Sequence, residues 1–278
     1  MKTIRIAVIV LGLIGLVSGI SCKKFLEEKP ISSLAPENFW KSETDATSWM
    51  AGIYNSLQTT LSTNWFDWGE VRSDNVRVGG TGNAQLTMIT NTLSANDADI
   101  NGVTRWTNLY TTISLCNYGI KYYPEMISKN IEGKASVYRD YLGQCYGLRA
   151  LMYFYGLRVW GRMPIHTEPI QSLNQPLELP RSSITEMKDL IQNDIAKSLE
   201  TINTITSDRN KKFYIQKSAV YALKTDVHMW FQEYDEALAA SDLFILTSAS
   251  GGAAWINGIT VWKNIFLDPV NSPETIFN

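Results

Sequence analysis

The stretch Tyr141–Pro164, YLGQCYGLRALMYFYGLRVWGRMP, constrains the fold of this chain more than any other. Tyr141, Cys145, Leu148, Met152, Tyr155 and Val159 recur at gaps of four and three residues, which draws one apolar stripe along a helix. Tyr146, Ala150, Tyr153, Leu157 and Trp160 draw a second stripe on the opposite side. A helix apolar on nearly every side has to be covered by other helices, so this one is expected at the centre of the molecule. Only Arg149 and Arg158 put charge on it, and Gly143 and Gly147, one turn apart, leave a notch where a neighbouring backbone can approach. Gly161 and Pro164 end it, because glycine accepts a left-handed cap and proline cannot continue the hydrogen-bond ladder.

Other segments carry the same period. Ser42 with Asp45 forms a capping box before a helix whose buried face is Ala46, Trp49, Met50, Ile53 and Leu57. Trp106, Leu109, Tyr110, Ile113, Cys116, Asn117 and Ile120 mark a further helix, expected to close at Tyr122-Tyr123-Pro124. After a proline-bounded loop, Gln171 to Pro180, either Ser182 or Ser183 caps a helix that buries Met187, Leu190, Ile191, Ile195 and Leu199. Ile215–Trp230 and Tyr234–Leu246 then form a pair, with Ala219, Ala222, Leu223, Asp226, Ala237 and Ala240 resembling a tetratricopeptide unit. Such a hairpin cannot bury its apolar side alone, so the helix pairs should stack. The expected fold class is mainly α: tetratricopeptide-like stacked helix hairpins, an α–α superhelix, with long irregular loops.

The first residues bear on location. Lys2 and Arg5 precede the apolar run Ile6–Val17, which is short for a membrane span of about 20 residues. A basic start, an apolar middle and small residues before Cys22 describe a secretory signal at 1–21, ending in a lipobox-like site. Cys22 is the expected lipid attachment, the polar segment 22–36 a tether, and 37–278 the helical domain. An uncleaved signal anchor or a plain secretory signal is the alternative. Losing Lys2 and Arg5 leaves 23 basic against 27 acidic residues and moves the net charge from -2 to -4, with no clustered basic face of the kind a nucleic-acid partner requires. Cys116 and Cys145 are expected as two buried free thiols.

The loop Asn64–Asn83, NWFDWGEVRSDNVRVGGTGN, is the expected binding segment. Its glycines oppose a stable helix, and Trp65, Phe66 and Trp68 stand close to Asp74, Asn75 and Arg77. Sugar rings offer apolar C–H faces that stack on indole and hydroxyls that bond to Asp, Asn and Arg, so Trp65, Trp68, Asp74, Asn75 and Arg77 are the candidate ligand-binding residues. Alternatively, the tryptophans pin a long loop onto the core and Asp74 pairs with Arg77 structurally. Asp97, Asp99, Asn101 and Gly102 imitate the start of a calcium loop, but Asn108 stands where the bidentate Glu belongs, and helix capping already explains the acidic cluster. No cofactor or metal site is expected.

Leu148-Arg149-Ala150, Tyr153-Phe154-Tyr155, Trp160-Gly161, Met163-Pro164 and Thr167-Glu168-Pro169 together resemble the signature of the SusD/RagB family of outer-membrane nutrient-binding lipoproteins. Phe39-Trp40, Gly52-Ile53-Tyr54, Cys116-Asn117, Tyr221–Leu238 and Pro273–Phe277 extend the resemblance along nearly the whole chain. Gly147 departs from it, standing where a large aromatic is usual, and so does Arg162, where Asp is common. The resemblance implies a non-catalytic protein on the outer face of the outer membrane, held by lipid on Cys22. It would pass oligosaccharides or another nutrient to a SusC-like TonB-dependent transporter, with the Ser73-Asp74 segment contributing ligand contacts. It also implies that the chain corresponds to the N-terminal, helical part of longer relatives.

Two other functions are open to such a chain. A glycosidase needs two carboxylates flanking the scissile bond, and no pair is singled out; nor is there a Gly-x-Ser-x-Gly elbow or a His-Glu-x-x-His helix. A helical-repeat scaffold of the cell envelope that binds only protein is the remaining alternative.

Overall fold

The computed structural model describes residues 39–73, 75–77, 79, 83–94, 104–172, 174–176, 178–202, 213–250, 254, 262–268, 271–272, 274–275 and 277. The expected signal, the Cys22 tether, Asp74 and the calcium-like Asp97–Gly102 segment lie outside them.

Among the described residues the α-helices are, in chain order, α1 (Glu43–Thr60), α2 (Phe66–Gly69), α3 (Asn83–Ile89), α4 (Thr107–Ser128), α5 (Ala135–Trp160), α6 (Ile184–Thr201), α7 (Lys217–Trp230), α8 (Tyr234–Ser250) and α9 (Asn264–Leu267). Long helices adjacent in order pack on each other: α1 on α4, α4 on α5, α5 on α6, α6 on α7 and α7 on α8. That is the stack of helix hairpins the periodicity predicts.

α5 is its centre. Tyr138, Cys145, Leu148, Met152, Tyr153 and Phe154 along it are fully buried, each apolar side chain worth about 1.5–3 kcal/mol relative to exposure. The helix begins before Tyr141, at Ala135, because the turn formed by Asn130, Glu132 and Gly133, all at positive φ, reverses the chain close behind α4. It ends at Gly161, whose φ of 71° few other residues adopt cheaply. The Gly143 notch is filled by the end of α6: a Cβ there would stand 2.5 Å from Ile202 Cγ1 and 2.8 Å from the Ile202 backbone nitrogen. Ser198 Oγ donates to the Gly143 carbonyl at 2.7 Å across the same crossing. Gly147 continues the crossing, 2.9 Å from Ser198 Oγ by the same measure, which leaves no room for a large aromatic.

Both capping boxes form, at Ser42/Asp45 and, between the two serines considered, at Ser183/Glu186. Two further helix boundaries differ from expectation in ways that change what is buried or where the aromatic residues sit. α4 does not close at Pro124 but carries it inside and runs to Ser128, burying Met126 in the turn beyond. α1 does not give way to a loop at Asn64. It continues as one π-helical turn, Leu61–Trp65, directly into α2, so Trp65, Phe66 and Trp68 are helical and the irregular segment begins near Glu70.

Among the described residues, Arg149 is the one arginine or lysine buried in this core. Its Nε and Nη2 donate to the two Asp194 carboxylate oxygens at 2.7 and 2.8 Å, and its Nη1 donates to Asn117 Oδ1 at 2.7 Å. One side chain thereby joins α4, α5 and α6. Burial acts to lower the Arg149 guanidinium, and the Asp194 contact outweighs it and raises it. Asn117 Nδ2 and the Tyr153 hydroxyl both donate to the His166 carbonyl, at 2.9 Å each, tying the segment after α5 to the same centre. Cys116 and Cys145 are free and buried, as expected.

Candidate functional site

Where the run α1–α2 meets the last turns of α5, aromatic rings collect. Trp65 packs on Tyr155 with the rings tilted by 47°. Trp68 meets Trp160 edge-on at 4.8 Å, and Trp106 meets the same ring edge-on at 6.1 Å. Tyr155, Arg158 and Val159 project from α5 at the i, i+3, i+4 spacing that puts them on one face. Around these rings lies a cavity of about 400 Å³ lined by Trp65, Trp68, Arg72, Tyr155, Arg158 and Trp160, with Met88, Leu93, Thr104 and Trp230 closing its sides. Its size falls within the range of small-molecule sites.

Two guanidinium groups reach it. Arg158 lies over the rings of Phe154, Tyr155 and Trp230 at 5.3, 5.4 and 5.3 Å from their centroids, and its Nη1 is 3.0 Å from Asp226 Oδ2. The group is thus held by aromatic faces and one carboxylate together. Arg72 Nη2 makes a longer contact, 3.4 Å, with Asn91 Oδ1 and is exposed. Burial pushes the Tyr155 hydroxyl up to about 12, so it stays a neutral hydrogen-bond donor at any physiological pH. No carboxylate lines the cavity among the described residues. What the arrangement offers is therefore ring faces for stacking and cationic or neutral N–H and O–H donors for hydroxyls.

Of the residues singled out from the sequence, the structure brings Trp65 and Trp68 together in this cavity. Asn75 and Arg77 are exposed and do not line it. Asn75 is placed by its own backbone N–H, which donates to Ser73 Oγ at 3.3 Å. Asp74 and Cys22 lie outside the described residues. Sequence reasoning missed Arg72, Tyr155, Arg158, Trp160 and Trp230. Tyr155 and Trp160 read as stripes of a buried helix, yet both are half-buried at its end, and Trp230, 49% exposed, closes a hairpin helix. The available signal was the clustering of aromatics and arginine in the last turn of α5, beyond the last fully buried position. Among the described residues no group of His, Cys, Asp and Glu could hold a metal ion.

Comparison with known proteins agrees with this architecture. A family model described as SusD-like, "starch-binding associating with outer membrane", matches residues 24–228. A SusD-like protein of Formosa agariphila is 31% identical over 274 residues, covering 98% of this chain and 51% of the relative; the chain thus spans about half the length of that relative. Among solved structures, a SusD-like protein from Bacteroides fragilis superposes with a TM-score of 0.70 at 21% identity, over 90% of this chain and 47% of that one. A laminarin-binding SusD-like protein superposes with a TM-score of 0.61 at 18% identity, over 78% and 45% of the two chains. With the helix stack, the α5 signature and the family match in agreement, this chain belongs to the SusD-like family.

Proposed function

We propose that the chain is the helical part of a non-catalytic glycan-binding lipoprotein of the cell surface, which delivers oligosaccharides to a TonB-dependent outer-membrane transporter. The observation that carries this reading is the cavity between α2 and the end of α5. Trp65, Trp68 and Trp160 present ring faces to sugar C–H groups, and Arg72 and Arg158 present donors to sugar hydroxyls. Asp74, Asn75 and Arg77 follow Arg72 in the chain and would add polar contacts from outside the described lining. Family membership supports the surface location and the transporter partner, and a relative of the same fold is named for binding laminarin. Lipid on Cys22, with the segment 22–36 as tether, would hold the protein at the membrane.

A glycan array probed with the whole protein tests the proposal. Binding to one polysaccharide class is expected, weakened by Arg72→Ala, together with a shift from the membrane to the soluble fraction on Cys22→Ser. Binding to no glycan, with undiminished co-purification of a membrane partner, would instead favour the protein-binding scaffold.

A further inference from the structure

A second cavity, about 890 Å³, lies beside the first. Tyr54, Asn55, Gln58 and Trp65 from α1 and the π turn line it, with Leu151 from α5 and the Phe213-Tyr214 pair on the far side. Trp65 is the one described residue common to both cavities. Their order along the supporting elements is the same. On the α1–α2 run, Tyr54, Asn55, Gln58 and Leu61 belong to the second cavity, Trp65 to both, and Trp68, Gly69 and Arg72 to the first. On α5, Leu151 belongs to the second cavity and Tyr155, one turn later, to the first. The two spaces therefore lie end to end along the same pair of helical elements and meet at the Trp65–Tyr155 contact. From Ala51 to Arg72 the helical path is roughly 30 Å.

The walls of the second cavity again combine aromatic rings with hydrogen-bonding groups, with amides and a hydroxyl in place of the guanidinium groups of the first. Tyr54 meets Tyr214 edge-on at 5.0 Å and Phe277 at 6.4 Å, while Phe213 and Tyr214 remain 44% and 41% exposed. The Tyr54 hydroxyl is already committed, donating to Gln144 Oε1 at 2.7 Å and accepting from the Ile215 N–H at 2.9 Å, so this ring is fixed in place. Asn55, Gln58 and Ser62 supply amide and hydroxyl groups between the rings. The π turn Leu61–Trp65 sits where the cavities join, and insertions of that kind recur at functional positions in helices.

We infer that the two cavities are one groove, and that it takes an extended, linear oligosaccharide lying across Trp65 rather than a single terminal sugar. This rests on the glycan-binding reading above and adds the length and shape of the ligand. A chain contacting both cavities gains from rings on either side of Trp65 without a second loss of rotational and translational freedom.

Titration calorimetry of the whole protein with maltose and maltohexaose, and with laminaribiose and laminarihexaose, tests it. In whichever series binds, the hexasaccharide is expected to bind about tenfold or more tightly than the disaccharide. Tyr214→Ala and, on the exposed face of α1, Gln58→Ala should each reduce that ratio. Equal affinity for short and long members, or a ratio untouched by both variants, overturns the groove and leaves the glycan-binding reading standing. Where the glycan array selects another polysaccharide, its own disaccharide and hexasaccharide are the pair compared; binding of neither series, with no binding on the array, overturns the two together.

Discussion

At the scale of single residues, the Arg149–Asp194 pair decides whether three helices stay registered. Both side chains are essentially excluded from solvent, 5% and 0% exposed, so removing one partner strands a charge in a medium that cannot hydrate it. Asp194→Ala is expected to cost about 3–5 kcal/mol in urea unfolding, and a double replacement, Arg149→Met with Asp194→Leu, to recover most of that loss. Recovery is the informative arm, because it separates a stranded charge from simple loss of packing. The two thiols make a separate prediction. Burial pushes Cys116 up to about 12 and Cys145 well above its ordinary value, so neither forms thiolate near neutral pH. The folded helical domain should leave Cys116 and Cys145 unreactive toward an aromatic disulfide reagent at pH 8, and both should react on unfolding in urea. Prompt reaction of the native protein would show that the α4–α5 interface opens.

At the scale of elements, glycines on different helices should answer the same substitution with opposite signs. Gly143 lies at the α5–α6 crossing, where a methyl group would press on Ile202 backbone and side chain. The gain in helix propensity, up to about 1 kcal/mol, is outweighed by overpacking of about 1–3 kcal/mol, so Gly143→Ala should destabilise. Gly52 lies inside α1 with nothing within 4 Å of its absent Cβ, and Gly52→Ala should stabilise by about 0.5–1 kcal/mol. Thermal melts of the two variants read both signs directly. Elements of this kind were legible in the sequence: an all-round apolar helix has only one environment available, and a serine three residues before an acid is a local signal. The α1–α2 continuation was not legible. Its aromatic residues fit a loop as well as a helix, and a π turn shifts the period at the point where periodicity would have revealed it. Pro124 misled for a related reason: proline removes one donor from the ladder, and the packing of Met126 in the next turn carries the helix through.

At the scale of the molecule, only the two tryptophans of one wall of the cavity were visible in advance. Trp65 and Trp68 stood out because they are neighbours in a short polar segment. Tyr155, Arg158 and Trp160 come from a helix about ninety residues on, and Trp230 from farther still, so only the folded stack brings them to one place. Local composition can flag one wall of a site but not the wall contributed by a distant helix end. The central claim is that this assembled wall binds a glycan. Titration calorimetry comparing the whole protein with its Trp68→Ala variant, against maltohexaose and laminarihexaose, tests it most directly. The expected result is binding of one of the two by the parent, weakened about tenfold or more in the variant while the helical circular-dichroism spectrum is unchanged. Equal affinity of parent and variant would contradict it.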